Sequence, residues 1–147
     1  MKLSEIMTRD VVVMQPDDSL QSAAKRMRDR NIGFLPVCDG EELIGVISDR
    51  DITIRALADG MDVNIMLGRD LMTVPAIYCF DDQEVSEAAK IMEENQIRRL
   101  VVLIRDGKRL VGVISLGDLA RIEPPDRSGQ VLQKVSAPES TVKTDTA

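Results

Sequence analysis

Histidine and tryptophan are absent from this sequence, and only one tyrosine, two phenylalanines and two cysteines occur in its 147 residues. Without an imidazole there is no histidine acid–base catalyst and no histidine-based metal site. With aromatics at 2%, the chain has no platform on which nucleic-acid bases could stack. Two cysteines do not make a disulfide framework, so Cys38 and Cys79 are expected to be buried free thiols of a reduced, cytoplasmic protein. No apolar run approaches membrane-spanning length, and Met1-Lys2-Leu3-Ser4-Glu5 lacks the apolar stretch of a signal peptide. A net charge of −6 and a pI near 4.7 argue against a nucleic-acid backbone or an anionic membrane as partner.

What the chain has is repetition. Gly45-Val46-Ile47-Ser48-Asp49-Arg50-Asp51 returns as Gly112-Val113-Ile114-Ser115-Leu116-Gly117-Asp118. Each copy is a β-branched apolar run that stops at a serine, with an aspartate three residues later, which reads as a buried strand running into a helix N-cap. Such a turn presents backbone N–H groups and a short polar side chain, chemistry suited to a phosphate or a sugar. Upstream, Met7-Thr8 recurs 65 residues on as Met72-Thr73, and Ala23-Ala24 as Ala88-Ala89. From the Asp39-Gly40 turn onward the offset is 67, so the second copy carries two extra residues just before its own Asp106-Gly107 turn. The 44% apolar content suffices for one core or two small fused halves.

Within each copy the pattern predicts a short opening turn, a strand (Val11 to Met14; Ala76 to Cys79), a helix, a hairpin and a closing helix. The first helix carries Leu20, Ala23, Ala24 and Met27 at i, i+3, i+4, i+7, and its twin carries Val85, Ala88, Ala89 and Met92. The Asp-Gly pairs between apolar runs predict hairpins. Residues 2–60 form the first unit and 61–123 the second. The Ser/Thr/Pro/Lys-rich stretch 124–147 is expected to be a disordered tail whose removal leaves the melting temperature nearly unchanged.

The order strand, Ala-Ala-x-x-Met helix, hairpin, Gly-Val-Ile-Ser-x-x-Asp and helix, written twice, resembles a tandem pair of cystathionine-β-synthase (CBS) domains, a Bateman module of the stand-alone bacterial class. The resemblance covers about residues 2–122. It implies an α/β fold (α+β by some schemes) of two β-α-β-β-α units packed through their sheets about a pseudo-twofold axis. It also implies clefts between the units for AMP, ADP, ATP or another adenosyl ligand, with no required cofactor, and pairing into a homodimer that regulates another protein. Some relatives of this kind bind no nucleotide and respond to redox state, which makes a ligand-free structural or stress-associated dimer the alternative. Neither repeated Ser/Asp pair has a base-and-nucleophile arrangement, so an enzyme is not expected.

The resemblance assigns Asp51 and Asp118 to ribose hydroxyls, which a carboxylate can accept in pairs; the plain alternative is a helix-start aspartate complementing the dipole. Ser48 and Ser115 are N-cap positions that can also face a ligand. Gln96-Ile97-Arg98-Arg99 resembles the basic turn of the AMP-sensing kinase γ subunit, where the basic pair contacts phosphate. A solvated or salt-bridged pair beside Glu93 and Glu94 is the other reading. Thr8 with Val13, Thr73 with Tyr78, and Ile32, Gly33, Phe34 and Ile97 complete the implied lining. Because Arg98 and Arg99 belong to the second copy, their cleft is expected to be that of Asp118, making Asp118 more consequential than Asp51.

Overall fold

The computed structural model describes residues 1–138. In chain order the first half comprises α1 (Leu20–Arg30), β1 (Phe34–Asp39), β2 (Glu42–Ser48), α2 (Asp49–Asp51) with a π-helical continuation (Ile52–Leu57), and α3 (Gly68–Leu71). The second comprises β3 (Tyr78–Phe80), α4 (Val85–Asn95), β4 (Arg99–Leu103), β5 (Leu110–Ser115), α5 (Leu116–Ala120) and α6 (Pro125–Val135). Helices and small sheets are therefore mixed as the repeat predicted, and each Asp-Gly pair closes an antiparallel hairpin, β1 with β2 and β4 with β5. Both ladders shift register at the same repeat position, after Val37 and after Val102. A shared bulge of this kind belongs to the unit, not to one copy.

The two halves exchange their leading segments. Thr8 bridges Val113 on β5, while Thr73 bridges Val46 on β2. Leu3 and Met7 accordingly lie in the core of the second unit, and Leu71 lies in that of the first. The exchange explains the glycine at the head of each repeated motif. A Cβ on Gly45 would stand 3.0 Å from the Thr73 carbonyl oxygen, and one on Gly112 would stand 3.0 Å from that of Thr8. Only glycine lets the crossing strand approach so closely. Because the exchange is reciprocal, an approximate twofold relates the units, and each core draws residues from both sides of residue 60.

Three expectations need correction. The strand predicted over Val11 to Met14 shrinks to a single parallel bridge, Met14 with Val37, the counterpart of Cys79 with Val102 in the β3–β4 pair. Ala24 is exposed, whereas its twin Ala89 is buried in the core. The largest difference is in the tail: Pro125–Val135 is a helix, and its Val131 and Val135 are buried against α4 and α5. Proline at the first position suits a helix start. Polar contacts add to the apolar face: Arg127 and Lys134 both reach Glu93, at 2.6 and 3.4 Å. Ala89 is covered because α6 docks beside α4, whereas among the described residues no helix docks beside α1. Residues 139–147 of the expected disordered tail lie outside the described residues. No helix among the described residues is long and apolar enough to cross a membrane.

Candidate functional site

Each repeated motif builds the same cap. Ser48 Oγ accepts the N–H of Asp51 (3.1 Å) and Asp51 Oδ2 accepts the N–H of Ser48 (2.9 Å). Ser115 and Asp118 do likewise at 3.0 and 2.8 Å. This reciprocal capping box satisfies two N–H groups that a helix start would otherwise leave unpaired. The capping function is thus real at all four positions, and it consumes one carboxylate oxygen of each aspartate. The second oxygen differs between them. Asp118 Oδ1 accepts from Arg121, whereas Asp51 Oδ1 has no partner among the described residues.

The exchange of leading segments decides which residues share a cleft. One cavity, about 540 Å³, gathers Ser48 and Asp51 from the first unit with Thr73, Ile97, Arg98 and Arg99 from the second. The other, about 300 Å³, gathers Thr8, Ile32, Gly33 and Phe34 from the first unit with Ser115 and Asp118 from the second. Both volumes lie in the range of small-molecule sites. The expected partnership of Asp118 with the arginine pair is therefore corrected: it is Asp51 that faces Arg98 and Arg99 together. Arg99 and its repeat counterpart Phe34 line both cavities, placing this pair on the boundary between the clefts.

Two assigned residues stay outside. Val13 lines neither cavity, its carbonyl accepting instead from Arg26 (2.8 Å), and the wall is formed by its neighbours Val11 and Val12. Tyr78 is exposed and packs edge-on against Phe80, 5.5 Å between ring centroids, while Pro75 and Ile77 line the cleft. In both copies the cleft is lined by neighbours of the assigned residue, Val11 and Val12 in one and Pro75 and Ile77 in the other. A short irregular segment does not announce which side chain turns inward. Arg50 and Asp10 were not identified as site residues, yet they line the Asp51 and Asp118 clefts respectively.

Charge separates the clefts. The Asp51 cleft carries Arg50, Arg98 and Arg99 against one aspartate; the Asp118 cleft carries Asp10 and Asp118 against Arg99 alone. Among the described residues, Arg98 and Arg99 form no salt bridge. Glu93 is taken by Arg127 and Lys134, and Glu94 lies beside Lys90. Arg98 donates only to the neutral Ser136 Oγ (3.1 Å), and Arg99 makes no side-chain polar contact among the described residues. In an acidic chain where Arg26, Arg69, Arg105 and Arg127 each pair with a carboxylate, two adjacent uncompensated guanidinium groups at a cleft mouth are suited to an anion.

Neither cysteine lines a cleft. Cys79 and Cys38 are buried, and their repeat counterparts are the buried Met14 and Leu103. Burial pushes the Cys79 thiol up to about 12 and raises that of Cys38 as well. Both sit where the other copy places a large hydrophobe.

A CBS-domain model matches residues 3–57 and 68–124. Hypoxic response protein 1 of Mycobacterium tuberculosis is 34% identical over 135 residues, covering 91% of this chain and 93% of that protein. The chain spans 62% of the length of an uncharacterised Methanopyrus kandleri relative, at 33% identity over 83% of its own length. Among solved structures, Hypoxic Response Protein I with two coordinated zinc ions superposes with a TM-score of 0.76 at 35% identity, over 84% of this chain and all of that one. The present chain has no histidine, and no group of three or more His, Cys, Asp or Glu side chains placed to hold a metal is found among its described residues. CBSX2 in complex with AMP superposes with a TM-score of 0.68 at 26% identity, over 82% of this chain and 93% of that one. The CBS domain pair of protein MJ0100, in complex with 5-methylthioadenosine and S-adenosyl-L-methionine, reaches 0.74 at 28%, over 83% and 94%. With both repeats matched and the reciprocal exchange in place, this chain belongs to the CBS-domain family as a tandem pair.

Proposed function

We propose that the Asp51 cleft binds an adenine nucleotide, AMP, ADP or ATP, and that the protein acts as a non-enzymatic sensor. The observation that carries this reading is the uncompensated Arg98-Arg99 pair across the cleft from a capped aspartate with one free oxygen. Asp51 Oδ1 accepts a ribose hydroxyl, Ile97 and Ile77 flank the base, and the arginines take phosphate oxygens. The AMP complex of CBSX2 and the adenosyl ligands of MJ0100 support the ligand class. A ligand held by Asp51 of one unit and Arg98 of the other ties the units together, and a homodimer presents the resulting population shift to a regulated protein in the cytoplasm.

Calorimetry of the purified protein against AMP, ADP, ATP and S-adenosylmethionine tests the reading. Binding that strengthens with phosphate count is the expected result. Absence of binding by every nucleotide at millimolar concentration overturns it and leaves a ligand-free structural or stress-associated dimer.

A further inference from the structure

We propose that α6 creates a third site, a groove for a small amphipathic anion, and that its occupant competes with nucleotide phosphate for the same two arginines. Only the competition rests on the nucleotide reading. The groove has a volume of about 620 Å³, adjoins both clefts through Arg98, Arg99 and Ser115, and is otherwise formed where α6 docks beside α5. Arg98 and Arg99 form one rim, and Leu116, Ala120 and Leu132 line the apolar side. No acidic residue lines it.

Two independent features mark the groove as a site and not a packing gap. The first is apolar. Leu132 is 48% exposed although Val131 and Val135 on the same helix are buried, so α6 turns a second hydrophobic surface into the groove. Opposite the core, Gly129 leaves open space, with nothing within 4 Å of where its Cβ would stand. The second is charge: the rim is the arginine pair, which no carboxylate among the described residues compensates. An apolar wall facing a bidentate cationic rim recognises a molecule with an apolar body and a carboxylate, sulfonate or phosphate head. Because Arg98 and Arg99 also line the Asp51 cleft, one guanidinium cannot serve both occupants fully, and the two ligands oppose each other.

The probe is 8-anilinonaphthalene-1-sulfonate, an aromatic body with an anionic head, titrated against the folded protein by fluorescence. One saturable site per chain is expected. Replacing Leu132→Gln should weaken it about tenfold with an unchanged melting temperature and unchanged ATP affinity, because the side chain is half exposed and lies outside the clefts. Arg99→Ala should weaken both probe and ATP, and ATP should displace the probe whereas adenosine should not. Absence of saturable binding, or equal binding by Leu132→Gln, overturns the groove. If calorimetry shows ATP bound while the probe stays in place, the competition is overturned. If no nucleotide binds the wild type, the nucleotide reading fails by itself, and the Leu132→Gln titration still decides the groove.

Discussion

The two clefts share a backbone and differ in what has been hung on it. Both are headed by the same Ser/Asp capping box, with matching distances to within 0.1 Å. At the position before β1 and β4, however, Gly33 stands opposite Arg98. Asp49 and Leu116, which open the following helices, form the matching pair, and each donates its N–H to the carbonyl of that residue, at 2.9 and 2.7 Å. In the first unit the Asp49 carboxylate lies only 2.5 Å from where a Cβ on Gly33 would be, so a side chain there would require that exposed carboxylate to turn away. In the second unit the arginine fits because Leu116 brings no carboxylate. Duplication thus kept the capping geometry, which each helix needs to start, and let the charge at the mouth diverge.

The cover of the two main helices is the largest difference, and removing it gives the largest expected effect. Truncation after Glu123 removes α6 with its buried Val131 and Val135 and uncovers the core around Ala89, Met92 and Leu119 that they pack against. At roughly 1.5–3 kcal/mol for each of the two buried side chains, we expect a loss of about 3–6 kcal/mol, read as a clear fall in melting temperature. An unchanged melting curve would restore the disordered-tail view and make the halves equivalent.

Next in size, replacing Arg98 and Arg99 together with alanine removes the charge asymmetry. A charge-assisted hydrogen bond is worth about 1.5–3 kcal/mol, so ATP affinity should fall at least tenfold by calorimetry while adenosine is nearly unaffected. Equal losses would mean that the arginines shape the cleft and do not read charge.

The aspartates give a sharper and smaller contrast. Asp51→Ala and Asp118→Ala each lose a capping box, at a similar cost of about 1 kcal/mol in stability, which serves as an internal control. ATP affinity should fall several-fold more in Asp51→Ala, since only Asp51 shares its cleft with both arginines. The opposite order, measured by the same titration, would mean that phosphate enters the Asp118 cleft.

The smallest effect is at the paired core positions Met14 and Cys79. Cys79 titrates near 12 in the folded protein, against an ordinary value of about 9. The unfolded chain therefore releases this proton first, so this group leaves stability untouched below about pH 9 and lowers it as pH rises toward 12. Alkylation by iodoacetamide at pH 8.5 should be slow in buffer and fast in urea. Fast alkylation of the folded protein would revive a redox role.

Much of this was legible along the chain. The hairpins follow from Asp39-Gly40 and Asp106-Gly107, and the caps from Ser48, Asp51, Ser115 and Asp118, because a turn or a cap is settled by residues three or four apart. The facing residues of the short segments were not. Val13 and Tyr78 belong to stretches too short to show a period, and their neighbours turned inward instead. Likewise α6 carries only Val131 and Val135 as its buried pair, too few to stand out from a polar tail.

The sequence by itself determined the duplicated unit, the elements within it and the residue types at each cleft, since periodicity, turn chemistry and capping act locally. Only the tertiary structure decided that Asp51 faces Arg98, that Asp118 does not, and that the last helix docks. Those outcomes depend on Met7-Thr8 and Met72-Thr73 crossing to the opposite unit, and on Glu93 and Ala89 meeting α6. Such pairings join residues far apart in the chain, whose complementarity exists only once both surfaces have formed.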